Sequence, residues 1–82
     1  MPRYFFHIRD GVSYPDEEGV ELPDLDAARS AAAKLAGLTL HDDHETFWKG
    51  EEWRVDVTDE AEMILFSLHF MAVNAPCVGS QP

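Results

Sequence analysis

The chain is poor in cysteine and in long apolar runs, and each shortage excludes a class of protein. One cysteine, Cys77, occurs in 82 residues, so the chain can form no internal disulfide and lacks the ligands for a thiolate zinc site. Low cysteine use is typical of a reducing compartment, and we expect a cytoplasmic protein. The most apolar segment, 63–73, spans eleven residues, whereas a membrane helix needs about 20.

Basic residues are also scarce. Six Lys and Arg stand against sixteen Asp and Glu, which gives a formal net charge of −10. This charge repels phosphate backbones, so nucleic acid is not an expected partner. Apolar residues make up 45% of the chain, which is enough for one small packed core. We predict a single domain over residues 1–73 and a poorly ordered tail over 74–82, where periodicity ends and turn-forming residues gather.

The first half of the chain predicts a β-hairpin followed by a helix. Residues 3–9 are aromatic and β-branched and alternate from face to face, which is a strand pattern. An Asp-Gly pair then favours a tight turn into a short return strand that Pro15 ends. A helix is predicted over about 24–41, since the Asp24 side chain can accept hydrogen bonds from the first turn. Its apolar stripe consists of Leu25, Ala28, Ala32 and Leu35.

The second half predicts another hairpin, with strands at about 51–58 and 63–70. Apolar and polar residues alternate in both strands, and the two apolar sets must share a face because a one-residue slip would send one set into water. A four-residue turn over 59–62 then places Val57 opposite Ile64. The core side of the strands would collect Tyr4, Phe6, Ile8, Trp53, Val55, Val57, Ile64, Phe66, Leu68 and Phe70. With the helix covering this side, the prediction is a small two-layer α+β domain.

Two stretches of the sequence carry a family likeness. Residues 2–11 read PRYFFHIRDG and residues 18–29 read EGVELPDLDAAR. Together they resemble a family of short bacterial proteins of unknown function that open PRYFFHxRDG and continue EGxELPDLxAAR. A weaker likeness covers 55–60, although DEAE at 59–62 stands where the family usually has a turn glycine. The resemblance implies a small bacterial cytosolic domain and no particular activity.

The opposite face of the predicted sheet is the candidate binding surface. By the same alternation it carries Arg3, Phe5, His7, Arg9, Arg54, Leu65, Ser67 and His69. Three of the six basic residues fall there, while the acidic residues fall mostly in turns and loops. A two-layer domain leaves this face open, and exposed apolar groups with a polar rim mark interaction sites. We predict a partner-binding face for a second copy or another protein, with chance alternation as the alternative.

No pattern in the sequence predicts a catalytic, metal or cofactor site. The densest group of ligand types, HDDHE at 41–45, has neither residue order of the helical metalloprotease motifs. We therefore expect His41, His44 and Glu45 to form a polar helix end and a solvated loop, and we expect no cofactor. A non-enzymatic interaction module is the first hypothesis. Two alternatives stay open: an acidic nucleic-acid mimic, and an anion-binding or enzymatic site built from His7, Arg9, Arg54 and His69.

Overall fold

A long helix lies on one face of a single antiparallel sheet, which confirms the predicted α+β class. The computed structural model describes residues 1–48, 52–73 and 75–76, so the predicted tail lies outside the described residues except for Ala75 and Pro76. The strands are β1 (Arg3–Asp10), β2 (Ser13–Tyr14), β3 (Val20–Glu21), β4 (Trp53–Thr58) and β5 (Ile64–Phe70). The helices are α1 (Leu25–Asp42) and α2 (His44–Phe47).

The centre of the sheet is formed by β1 and β4. The strand order is β2-β1-β4-β5, and β3 pairs with the N-terminal end of β1. Both predicted hairpins are present, β1 with β2 and β4 with β5. They are joined through β1 and β4, where Phe6 lies opposite Val57 and Ile8 opposite Val55. The sequence pattern does not predict β3, because a two-residue strand is too short to show an alternation.

The sheet is covered by the small side chains of α1. The helix begins within one residue of the predicted start, because the Asp24 carboxylate accepts the Ala27 N–H at 2.9 Å and so caps the first turn. At its end, the Asp43 N–H donates to the Thr39 carbonyl at 3.0 Å. Its buried residues are Ala28, Ala32 and Ala36, with Leu25 and Leu35 half-buried beside them. No helix in the described part of the chain is long and apolar enough to span a membrane.

The C-terminal hairpin is paired two residues further along β5 than predicted. Val57 lies opposite Phe66 and Val55 lies opposite Leu68, so the predicted pairing of Val57 with Ile64 is wrong. The shift is an even number of residues, which keeps Phe66 and Leu68 on the core side. The apolar faces of the two strands therefore match as predicted, but the turn is longer than the predicted four residues.

The turn between β4 and β5 is longer than four residues. The Asp59 carboxylate accepts the N–H groups of Ala61 and Met63 at 2.9 and 3.0 Å, and Glu62 adopts a left-handed φ of 64°. These bonds extend the turn to Met63. A bulge follows at Leu65, which has no partner of its own on β4.

The core lies between α1 and the inner face of the sheet. Its buried strand residues are Tyr4, Trp53, Val55 and Val57, and its half-buried ones are Phe6, Ile8, Phe66, Leu68 and Phe70. Ile64 was predicted to belong to this set, and that prediction is wrong. It pairs with Thr58 on the opposite face and is 60% exposed, because the bulge reverses the alternation ahead of Phe66.

Candidate interaction surface

Three rows of side chains cross the outer face of the sheet from β1 through β4 to β5. Residues paired across antiparallel strands point to the same face. The cationic row is named for Arg9 and Arg54 and ends at His69, the polar row is His7, Asp56 and Ser67, and the third row is Phe5, Thr58 and Ile64. Six of the eight residues predicted for this face lie in these three rows. The other two are Arg3, at the N-terminal end of β1, and Leu65, at the bulge.

The positive charge of the cationic row is partly balanced within the face. Arg54 is half-buried, and its guanidinium lies 2.9 Å from a Glu52 carboxylate oxygen and 3.1 Å from an Asp56 oxygen. By contrast, Arg9 is exposed and forms no ion pair with any described residue. The accessible positive charge of the row is therefore that of Arg9.

The outer face also holds Asp56 and Thr58, which the predicted set does not include. The alternation that turns Arg54 outward also turns these two outward, so the signal was present in the sequence. Asp56 accepts a hydrogen bond from the Ser67 hydroxyl at 2.6 Å. Together with its Arg54 contact, this bond gives both carboxylate oxygens a partner.

The imidazole of His7 is fixed from both sides. The Asp16 backbone N–H lies 3.0 Å from Nδ1, and a backbone N–H can only donate. Nδ1 is therefore the acceptor, and the ring proton of the neutral imidazole is on Nε2. Nε2 then donates to the Thr58 hydroxyl oxygen at 3.0 Å, and Thr58 is 6% exposed. The Phe5 ring is stacked on the imidazole, with centroids 6.5 Å apart.

The loop between β2 and β3 is held against β1 by the Asp16 carboxylate. Oδ2 accepts the Phe6 N–H at 3.1 Å, and Oδ1 accepts the N–H groups of Glu18 and Gly19 at 3.1 Å each. Partial burial raises the pKa of Asp16, but the three backbone donors and the nearby His7 outweigh it and leave the pKa below its ordinary value. The sequence places the acidic residues mostly in turns and loops, whereas this carboxylate completes the edge of the sheet.

A cavity of about 380 Å³ opens beside His7 at the end of the face opposite the cationic row. Its lining consists of Phe5, His7, Pro15, Asp16, Glu17, Thr58, Asp59, Glu60 and Glu62. Five of these nine side chains are carboxylates, so the cavity repels anions. The outer face thus carries negative charge at this end and accessible positive charge at the other.

The family comparison covers the whole of this fold. A family described as a domain of unknown function, DUF6894, matches residues 3–71. The chain belongs to the DUF6894 family. The matched range starts with β1 and ends just past β5, so it includes both sheet faces and the helix. No curated protein and no solved structure matches the chain.

The residues proposed for an anion site in the DUF6894 domain do not converge on one point. Arg9 and His69 lie on either side of Arg54, whose charge Glu52 and Asp56 already balance. His7 lies in the neighbouring row, with both ring nitrogens engaged.

The ligand types at the end of α1 are solvent-exposed. His41 lies in the last turn of α1, while His44 and Glu45 belong to α2, where a loop was expected. Within the described residues, no three His, Cys, Asp or Glu side chains are grouped to hold a metal ion. Cys77 lies outside those residues, and the lack of a metal or cofactor stays a prediction.

Proposed function

We propose that the domain is a non-enzymatic, cytoplasmic protein-interaction module that binds its partner through the outer face. The observation that carries the proposal is an apolar patch formed by Met63, Ile64 and Leu65. Their exposed fractions are 64%, 60% and 38%. The loop between β2 and β3 packs on the β1 side of the outer face, whereas these three residues lie at the start of β5 and just before it. Contiguous exposed apolar side chains with a polar rim are typical of binding sites.

The partner expected from this chemistry is another protein. Its surface would present apolar side chains to the apolar patch and a carboxylate or carbonyl oxygen to Arg9. A nucleic acid does not fit, because the net charge of −10 and the acidic cavity beside His7 repel phosphates. Arginine and methionine, present on this face as Arg9 and at its edge as Met63, are both enriched in protein interfaces.

The polar groups at the centre of the face support binding rather than catalysis. Asp56 is occupied by Arg54 and Ser67, and His7 is held by Asp16 and Thr58. A general base must be able to reach a substrate proton. Side chains that satisfy one another instead stiffen the sheet, and a stiff sheet is a suitable platform for a partner.

The test compares two equally exposed apolar residues. Partners recovered with the immobilised wild type are identified, and their affinities are then measured for Ile64→Glu, Arg9→Glu and Leu38→Glu. Leu38 is 62% exposed on α1, away from the outer face, and serves as the matched control. We expect Ile64→Glu to weaken binding at least tenfold, Arg9→Glu to weaken it less, and Leu38→Glu to leave it unchanged. Equal affinities for Ile64→Glu and Leu38→Glu would remove the outer face as the binding surface.

A further inference from the structure

The two edges of the sheet are protected to different degrees. On the β1 side, β2 and β3 are two residues each, and between them the Asp16 carboxylate takes up the Phe6 N–H. On the other side β5 is seven residues long, and among the described residues it pairs only with β4. Its sequence, ILFSLHF, contains no Lys, Arg, Asp, Glu, Pro or Gly. Natural edge strands usually carry such residues, or are short or covered, to prevent pairing with another chain.

The hydrogen bond from the Phe6 N–H to the Asp16 carboxylate shows which backbone groups of β1 point toward β4 and which point away from it. The Phe6 N–H points to Asp16, away from β4. Backbone groups of successive strand residues alternate in direction, so those of His7 point toward β4 and bond with Asp56, its partner in the register. Asp56 therefore directs its N–H and C=O toward β1.

The same alternation continues across β4 and β5. Since Asp56 points toward β1, its neighbour Val57 points toward β5 and bonds with Phe66, its partner there. One residue further along β5, the N–H and C=O of Ser67 point away from β4, and those of His69 do the same. These groups have no strand to bond with among the described residues.

We propose that β5 pairs antiparallel with β5 of a second copy of this chain, about a twofold axis near Leu68. Ser67 would then lie opposite His69 of the second copy, and each such pair exchanges two backbone hydrogen bonds. In this register Phe66 lies opposite Phe70 of the second copy. Core-side residues lie opposite core-side residues and outer-face residues lie opposite outer-face residues, so both faces of the sheet continue from one copy to the other.

A second copy fits this edge for two reasons: β5 has no acidic residue, and its core-side residues are incompletely buried. The chain has a net charge of −10, so two copies repel each other over most of their surface. The strand β5 has no acidic residue, so this edge brings no carboxylate of one copy against those of the other. The core-side residues Phe66, Leu68 and Phe70 are only half-buried, and the same residues of the second copy would cover them further.

This pairing concerns a different surface from the proposed function. It uses backbone groups at the edge of β5, whereas the proposed function uses side chains on the outer face. The failure of one therefore leaves the other intact.

The test removes one backbone donor without removing the side-chain position. His69→Pro deletes an N–H that points away from β4, so the ladder between β4 and β5 is retained. His69→Ala removes the imidazole and keeps the N–H, and is the matched control. In sedimentation equilibrium we expect the wild type and His69→Ala to dimerise equally, and His69→Pro to dimerise at least tenfold more weakly.

A second measurement keeps the proposal testable if His69→Pro fails to fold. In a mixture of labelled and unlabelled wild type, isotope-filtered NOEs should join the Leu68 Hα of one copy to the Leu68 Hα of the other. A wild type that is monomeric at all concentrations would overturn the proposal. So would a dimer that lacks these NOEs, or β5 amides that become protected from exchange only when a different protein or peptide is added.

Discussion

At the scale of single residues, the contact between the loop before β3 and β1 depends on a glycine. Gly19 has a φ of 73°, and a Cβ built there would lie 2.8 Å from a ring carbon of Phe5 and 2.9 Å from the Arg3 Cγ. Both the backbone conformation and the close approach therefore require glycine. The loop that Asp16 anchors could not come this close to β1 with any other residue at this position.

We predict that Gly19→Ala destabilises the domain by about 1–3 kcal/mol, through left-handed strain and the collision with Phe5. Gly37→Ala is the control, because Gly37 lies inside α1 and a Cβ there meets nothing within 4 Å. It should stabilise the domain by about 0.5–1 kcal/mol, since alanine favours the helix. Urea unfolding of both variants gives the comparison. Equal effects of the two substitutions would show that the Gly19 contact is absent.

Asp16→Asn should lower the free energy of unfolding by about 1 kcal/mol at neutral pH. The reason is that an amide is a weaker acceptor than a carboxylate for the backbone N–H groups at this half-buried site. The pKa of Asp16 is lower in the folded chain than its ordinary value of 3.8. Its stabilising contribution is therefore complete above about pH 4 and is lost as the pH falls through the lowered pKa. The difference in unfolding free energy between wild type and Asp16→Asn should vanish over that range. A difference that is constant from pH 7 to pH 2 would contradict this origin.

Asp24 and Asp16 both accept hydrogen bonds from backbone N–H groups, and the two show which residue-scale features are predictable. Asp24 bonds to an N–H three residues away, so the sequence alone indicates its role. Asp16 bonds to Phe6, ten residues away, and only the return of the chain along β1 brings the two together. The sequence could place Asp16 in a turn but could not supply its partner.

At the scale of secondary-structure elements, the packing of α1 on the sheet depends on alanine. Ala32 is completely buried, while its neighbour Ala33 is exposed. We predict that Ala32→Leu costs about 1–3 kcal/mol, because the larger side chain pushes the helix away from the sheet. Ala33→Leu should change stability by less than about 0.5 kcal/mol. Thermal unfolding of both variants measures the difference, and an Ala32→Leu variant as stable as Ala33→Leu would mean that the Ala32 side of the helix is not closely packed on the sheet.

At the same scale, the alternation in the strands predicts the faces of the sheet but not the register of its C-terminal hairpin. Alternation predicted both hairpins and the core face of β4, because Val55 and Val57 can be buried only together. It did not determine the pairing of β4 with β5, since any even shift satisfies the same condition. The carboxylate of Asp59 and the bulge at Leu65 settle the register, and neither changes the polarity pattern of the sequence.

At the scale of the whole molecule, the position of the candidate face was predictable but its charge was not. Period-two alternation placed Arg9, Arg54 and His69 on the outer face, and pairing brings them into one row. The balance of Arg54 by Glu52 and Asp56 requires the packed conformation. The accessible charge of a face depends on which groups already pair with each other, and composition does not contain that information.

The net charge of −10 gives a last prediction, which concerns the dimer proposed through β5. If two acidic copies meet at an edge without charged residues, added salt screens their repulsion and tightens the dimer. Between about 20 mM and about 300 mM NaCl the screening length falls several-fold, and we expect the dissociation constant to fall by about threefold or more. Glu60→Gln, which removes one exposed carboxylate, should dimerise more tightly at low salt and respond less to added salt. A dimer that weakens as salt is added would instead be held by opposite charges, as expected if the Arg9 end of one outer face met the acidic end of another.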